Sequence, residues 1–120
     1  MKVTPMVRYF DKTDITPCPY GNVRRIFTGG DGIANVHVVS VTRGGEHFHR
    51  AYDEVYYFLS GNGTLTLEDK EYPVGAGAVA VIPATTVHCL ASDSEIPLEF
   101  VIFGSPPMCV EDDRARPVKP

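Results

Sequence analysis

The 120-residue chain reads as an all-β antiparallel domain closed into a small barrel or sandwich, with very little helix. Three observations point there. Short runs rich in Val, Ile, Thr, Tyr and Phe recur from Val23 onward; Gly, Asn, Asp and Pro punctuate them; and no segment holds a helical period over about ten residues. Many short strands with turns between them bury their apolar faces most economically by closing on themselves.

In chain order, strands are expected at Val23–Thr28, Ala34–Thr42, Glu54–Ser60, Thr64–Glu68, Ala78–Ile82, Thr86–Ala91 and Leu98–Phe103. The run "EYPV" makes a short edge strand, because Pro73 has no N–H to give to a ladder. "SGNGT" and "EDKE" are turns. "TGGDGIAN" resembles a phosphate loop, but no helix follows to receive an anion on its N-terminus, so it is a hairpin turn. Residues 1–22, Pro-rich and polar, form an N-terminal arm that drapes over the barrel of residues 23–104. Residues 105–120 form an extended or partly disordered tail, with clasping of a partner subunit as the alternative.

One domain is all this length supports, since a second core needs roughly 50 more residues. A formal charge of −4 with scattered Lys and Arg argues against a nucleic-acid surface. No apolar run suits a signal peptide or a membrane span, so a cytoplasmic protein is expected. Cys18, Cys89 and Cys109 lie far apart and are read as reduced thiols.

The chemistry concentrates in "GGEHFHRAYDEVYYFLSGNG". His47 and His49 are two apart, so on a strand their side chains leave the same face about 6.6 Å apart along the chain and can converge on one ion. Glu54 opens the next strand, and His88 follows the Pro83 turn downstream. His47, His49, Glu54 and His88 together offer a mixed nitrogen and oxygen donor set suited to one divalent transition metal per chain: Fe, Mn, Ni, Zn or Cu. His37 lies outside this pattern and is read as an ordinary strand histidine.

The spacing His47-x-His49-x4-Glu54-x6-Gly61, followed by Gly77-x5-Pro83-x4-His88, resembles the two motifs of the cupin superfamily, and the likeness to small single-domain cupins runs from Val36 to about Phe103. It departs in three places. Gly44 and Gly45 stand nearer His47 than the family glycine does, Thr85 replaces a common glycine, and Ser92 a common asparagine. The resemblance implies a double-stranded β-helix, or jelly-roll, barrel.

Strand alternation places Tyr56 and Phe58 inward with Glu54, and Val55, Tyr57 and Leu59 outward. With both faces apolar, one lines a pocket and the other is expected to be covered by a second copy, giving a homodimer. From His88 the same parity sends Thr86 and Leu90 inward and Cys89 outward as a buried structural thiol. Tyr56, a phenol beside a cation, is the candidate catalytic acid or base; some cupin lyases use a tyrosine in the matching place. Arg43 and Arg24 or Arg25 are candidates for a substrate carboxylate, with Phe58 and Leu90 lining the pocket.

Four protein ligands leave about two positions of an octahedral ion open. A metal-dependent enzyme acting on a small polar molecule is expected, either an Fe(II) dioxygenase or a redox-neutral lyase, isomerase or cyclase. The alternative is a non-enzymatic module that binds or senses a small ligand or sugar.

Overall fold

The computed structural model describes residues 4–18, 21–29 and 34–105. Among the described residues there are ten strands and, as the one helical feature, a 3₁₀ turn at Phe10–Lys12. The strands are β1 (Thr16–Cys18), β2 (Gly21–Phe27), β3 (Asn35–Val41), β4 (Arg43–His47), β5 (Asp53–Ser60), β6 (Asn62–Leu67), β7 (Lys70–Gly75), β8 (Val79–Ile82), β9 (His88–Ser92) and β10 (Leu98–Ser105). They pair antiparallel in two sheets, ordered β1-β2-β3-β10-β5-β8 and β4-β9-β6-β7. This is the double-stranded β-helix barrel expected from the sequence.

The core lies between the sheets. Phe58, Leu65, Ile82, Leu98 and Phe100 are almost wholly shielded from solvent, each contributing about 1.5–3 kcal/mol of apolar burial. Period-two alternation puts them there: in β5 Glu54, Tyr56 and Phe58 are buried while Tyr57 and Leu59 are exposed. Gly61 joins β5 to β6 at φ 87, and a Cβ there would lie 2.7 Å from the Pro97 carbonyl oxygen. Both the left-handed turn and the close approach require glycine.

Two strands were not foreseen. β4 follows β3 after a single bend at Thr42 and carries the chain to the other sheet; its Gly44 and Gly45 give it little strand propensity, but pairing of Arg43 with Ala91 and His47 with His88 holds it extended. β1 adds part of the expected arm to the edge of the large sheet. The 86–91 strand begins only at His88, because Pro83 to Thr86 form a turn closed by Thr86 N–H donating to Pro83 O at 3.1 Å. β7 is an edge strand, as Pro73 requires. The expected C-terminal tail after Ser105, the centre of "TGGDGIAN", and Cys109 lie outside the described residues. Cys89 is free. No helix among the described residues is long and apolar enough to cross a membrane.

Candidate metal centre

β4 ends on His47 and β9 begins on His88, and the register of the ladder makes the two Cα partners. Their rings face across it with centroids 4.2 Å apart. His49 keeps the parity of His47 beyond the strand end, is buried, and packs on the Tyr52 ring at 4.5 Å. One ring nitrogen from each of His47, His49 and His88 lies within 4.8 Å of the others. Nitrogens bound at ~2.1 Å to a common ion lie about 3–3.5 Å apart, so the three need to close by no more than about 1–2 Å to share one. These three histidines could hold a metal ion.

The backbone sets the tautomers. His47 Nδ1 lies 3.0 Å from the Gly45 carbonyl and His88 Nδ1 lies 2.8 Å from the Thr86 carbonyl. A carbonyl only accepts, so both Nδ1 atoms carry hydrogen and in the neutral rings both Nε2 atoms present lone pairs. His88 Nε2 is buried without a hydrogen-bond partner. A buried lone pair left without a donor is costly unless a cation takes it, and the donor set fits one.

Electrostatics agree. Burial and the neighbouring His88 hold His47 down to about 4, and burial also lowers His88. Both are therefore neutral, as ligands must be. Glu54 is 4% exposed, with Oε1 at 3.2 Å from His49 Nε2 and 3.6 Å from His88 Nε2. Burial raises its carboxyl, but the hydrogen bond from His49 and the adjacent imidazoles outweigh burial, and it settles below its ordinary value. A buried carboxylate held below its ordinary value beside the His47 and His88 rings supplies the negative charge that favours a divalent cation.

Tyr56, next inward on β5, donates its hydroxyl to Glu54 Oε1 at 3.4 Å. Burial and the Glu54 charge raise its pKa well above 10.0, so the protein's own groups keep the phenol protonated, in contrast to the lowering expected beside a cation. Phe100 stacks on its ring at 4.7 Å.

These side chains open onto a cavity of about 80 Å³, walled by Val39, Leu90, Phe100 and Ile102. Leu90 is placed as expected. Phe58 is not on the wall: one inward step deeper along β5, it is sealed in the core against Phe100 at 5.1 Å. Arg43 is exposed: a register shift between Gly44 and His47 breaks the alternation, so Gly44, paired with inward Leu90, borders the cavity and Arg43 turns away. Arg24 faces outward too: its Nη1 donates to the carbonyls of Phe10 and Thr13 at 2.8 and 3.1 Å, and its guanidinium covers the Phe10 ring, fastening the arm. Arg25 and His37 do border the cavity. His37 was set aside for lying outside the motif spacing, yet it shares the inward parity of Val39 and Val41, which was the available signal. Cys89 is half-buried and also borders the cavity, although its neighbours His88 and Leu90 hold the inward parity.

The Pro83 turn is tied to the same centre. Thr85 N–H donates to the His49 carbonyl at 2.6 Å, and Ala84 N–H to Asp53 Oδ1 at 2.8 Å. Thr85 takes φ 69, so this β-branched residue adopts the left-handed conformation for which glycine is suited.

The family model for the Cupin domain matches residues 35–104, more than half of the chain. The chain belongs to the cupin family. Among curated proteins, an uncharacterised protein of Methanocaldococcus jannaschii is 33% identical to this cupin over 66 residues, 55% of this chain and 53% of that protein. A mannose-1-phosphate guanylyltransferase of Escherichia coli is 33% identical over 87 residues, 68% of this chain and 18% of that protein. The cupin thus spans about half the length of the first relative and under a fifth of the second. Among solved structures, the Streptomyces nucleoside dehydratase Pac13 superposes with a TM-score of 0.79 at 23% identity, over 97% of this chain and 95% of its own. At that identity the likeness speaks for the fold.

Proposed function

We propose that this cupin is a metal-dependent enzyme that acts on a small polar molecule by redox-neutral proton transfer, in the lyase, isomerase or cyclase class. His47, His49, His88 and Glu54 hold the ion. The observation that carries the reading is the Tyr56 hydroxyl, buried and hydrogen-bonded to Glu54 inside the same cavity as the three histidines. The ion, when bound, supplies Lewis-acid polarisation of a substrate carbonyl or carboxylate. Tyr56 then supplies what elimination or isomerisation needs beside it, a proton donor aimed at a departing or shifting oxygen. The apolar walls at Val39, Leu90 and Phe100 exclude water and strengthen these interactions. Pac13, a dehydratase on the same barrel, lends this class support by analogy of fold.

The test is a substrate panel of nucleosides, sugar phosphates and small oxo acids, incubated with the metal-loaded protein under air and under argon and read by proton NMR together with mass spectrometry, so that isomers of equal mass are distinguished. Isomerisation or loss of water at equal rates in both atmospheres is the expected result. Gain of two oxygen atoms under air alone assigns an Fe(II) dioxygenase instead. Ligands retained but unchanged assign a binding or sensing module.

We also infer a homodimer. Tyr57, Leu59, Val79, Val81 and Phe103 remain exposed on adjacent strands β5, β8 and β10, with β8 at the sheet edge. A second copy of the same face would cover them isologously. Light scattering behind size exclusion at micromolar concentration checks this, and a monomer mass contradicts it.

A further inference from the structure

Two inward side chains on the wall away from the histidines have no part in the reading above, on which this inference rests only for the chemistry that it serves. Arg25 on β2 and His37 on β3 are Cα partners. The same row continues from His37 to Ile102 on β10 and from Ile102 to Tyr56 on β5. At ~4.8 Å between neighbouring strands, the backbones of His37 and Arg25 stand ~10 and ~14 Å from that of Tyr56. Both side chains border the cavity, and His37 is 5% exposed.

Charge gives the row a direction. Among the described residues bordering the cavity, Arg25 is the one permanent cation and Glu54 the one carboxylate, and they stand on strands three places apart in the sheet order. Val23, Val39 and Phe100 form the adjoining inward row, wholly apolar. Alternation along β2 separates the two arginines: Arg24 turns out to fasten the arm, and Arg25 turns in. A bulge between Arg25 and Phe27 follows directly, and such bulges re-aim a side chain.

We propose that Arg25, seconded by His37, is an anion-holding station: it binds a carboxylate or phosphate at the end of the substrate remote from the metal centre and makes an anionic group a condition of acceptance. A guanidinium presents a planar fork matching two oxygens of either anion, and a half-enclosed apolar wall strengthens the pairing. Arg25 is a specificity-determining residue on this account. It takes no part in proton transfer.

The test is an NMR titration of the 15N-labelled full-length chain, with and without added Zn(II), using inorganic phosphate and separately acetate. Saturable shifts of the amides of Arg24, Arg25, His37 and Val38 are expected in the wild type. Arg25→Gln should weaken that binding by about tenfold or more, and Arg25→Lys by less, because lysine keeps the charge and loses the fork. Saturation with phosphate and not acetate assigns a phosphate; the reverse assigns a carboxylate. Absence of saturable shifts with both anions overturns the proposal, as does unchanged affinity in a folded Arg25→Gln chain; should that variant not fold, unchanged affinity in Arg25→Lys together with wild-type shifts located elsewhere overturns it. His49→Ala should leave the anion site in place, so loss of metal binding and loss of this station are read separately.

Discussion

His47 and His88 are Cα partners across the β4–β9 ladder, and their imidazoles lie 4.2 Å apart between centroids. One ladder register thus brings together residues 41 positions apart in sequence and sets both on the cavity wall. Each ring is oriented by a carbonyl two residues before it, Gly45 for His47 and Thr86 for His88. The two strands deliver the same local arrangement from opposite sides.

Glu54→Gln separates ligand from scaffold. The amide keeps the volume and can still accept from Tyr56, but it removes the buried negative charge, so divalent-metal affinity should fall by at least about tenfold. The metal-free variant should be less stable than the wild type, because the hydrogen bond from His49 and the adjacent imidazoles outweigh the cost of burying the carboxylate and are weakened with its charge. Calorimetric metal titration and urea unfolding read the two effects. Equal metal affinity in the two proteins would remove Glu54 from the ligand set.

Tyr56→Phe should keep the metal and lose most of the activity, about 10²- to 10⁴-fold, the usual worth of a positioned acid or base. Its stability cost should be small, about 1 kcal/mol or less, since the lost hydrogen bond is long at 3.4 Å. Full activity on a substrate found by the panel would return Tyr56 to the role of a packing residue.

The metal-free protein should lose stability as pH falls from about 6.5 to 4. His47 is held at about 4 in the folded state and returns to ~6.5 on unfolding. Between those values the unfolded chain binds more protons, so the contribution is fully present above pH 6.5 and is lost as the pH approaches 4. For His47 alone the full loss is on the order of 3 kcal/mol. The lowered His88 and Glu54 act with the same sign. Urea midpoints at pH 7.5 and 5 measure it, and His47→Gln should flatten the slope; an equal slope in both proteins would contradict the assignment.

Thr85→Gly should stabilise the fold by about 0.5–1 kcal/mol. Relief of a β-branched residue in the left-handed region is worth about 1–2 kcal/mol, offset in part by the greater backbone entropy of glycine in the unfolded chain. The Thr85 N–H bond to the His49 carbonyl is retained, so metal content should not change. A destabilised Thr85→Gly would mean that the threonine side chain contributes more than its backbone strain costs.

The sequence made the barrel and the histidine pattern legible because both depend on short-range periodicity: parity along β5 and β9 foretold the burial of Glu54, Tyr56, His88 and Leu90. Features set by pairing between distant segments were not legible. β4 looked like a loop because Gly44 and Gly45 hide strand propensity that its ladder with β9 supplies. Arg24 and Arg25 were indistinguishable because the strand's start and its bulge decide which one faces inward. Phe58 had the right parity and the wrong depth. His37 had no motif partner in sequence, yet cross-strand register places it beside Arg25.

The central claim is that three histidines and Glu54 form a metal centre. The most direct measurement is elemental analysis of protein purified without chelator or added metal, with stoichiometry per chain, for the wild type and for His49→Ala. A divalent transition metal near one per chain in the wild type, lost in a His49→Ala chain that keeps its β-sheet circular dichroism, is the expected result. No metal in the wild type, or an unchanged content in the variant, would contradict it.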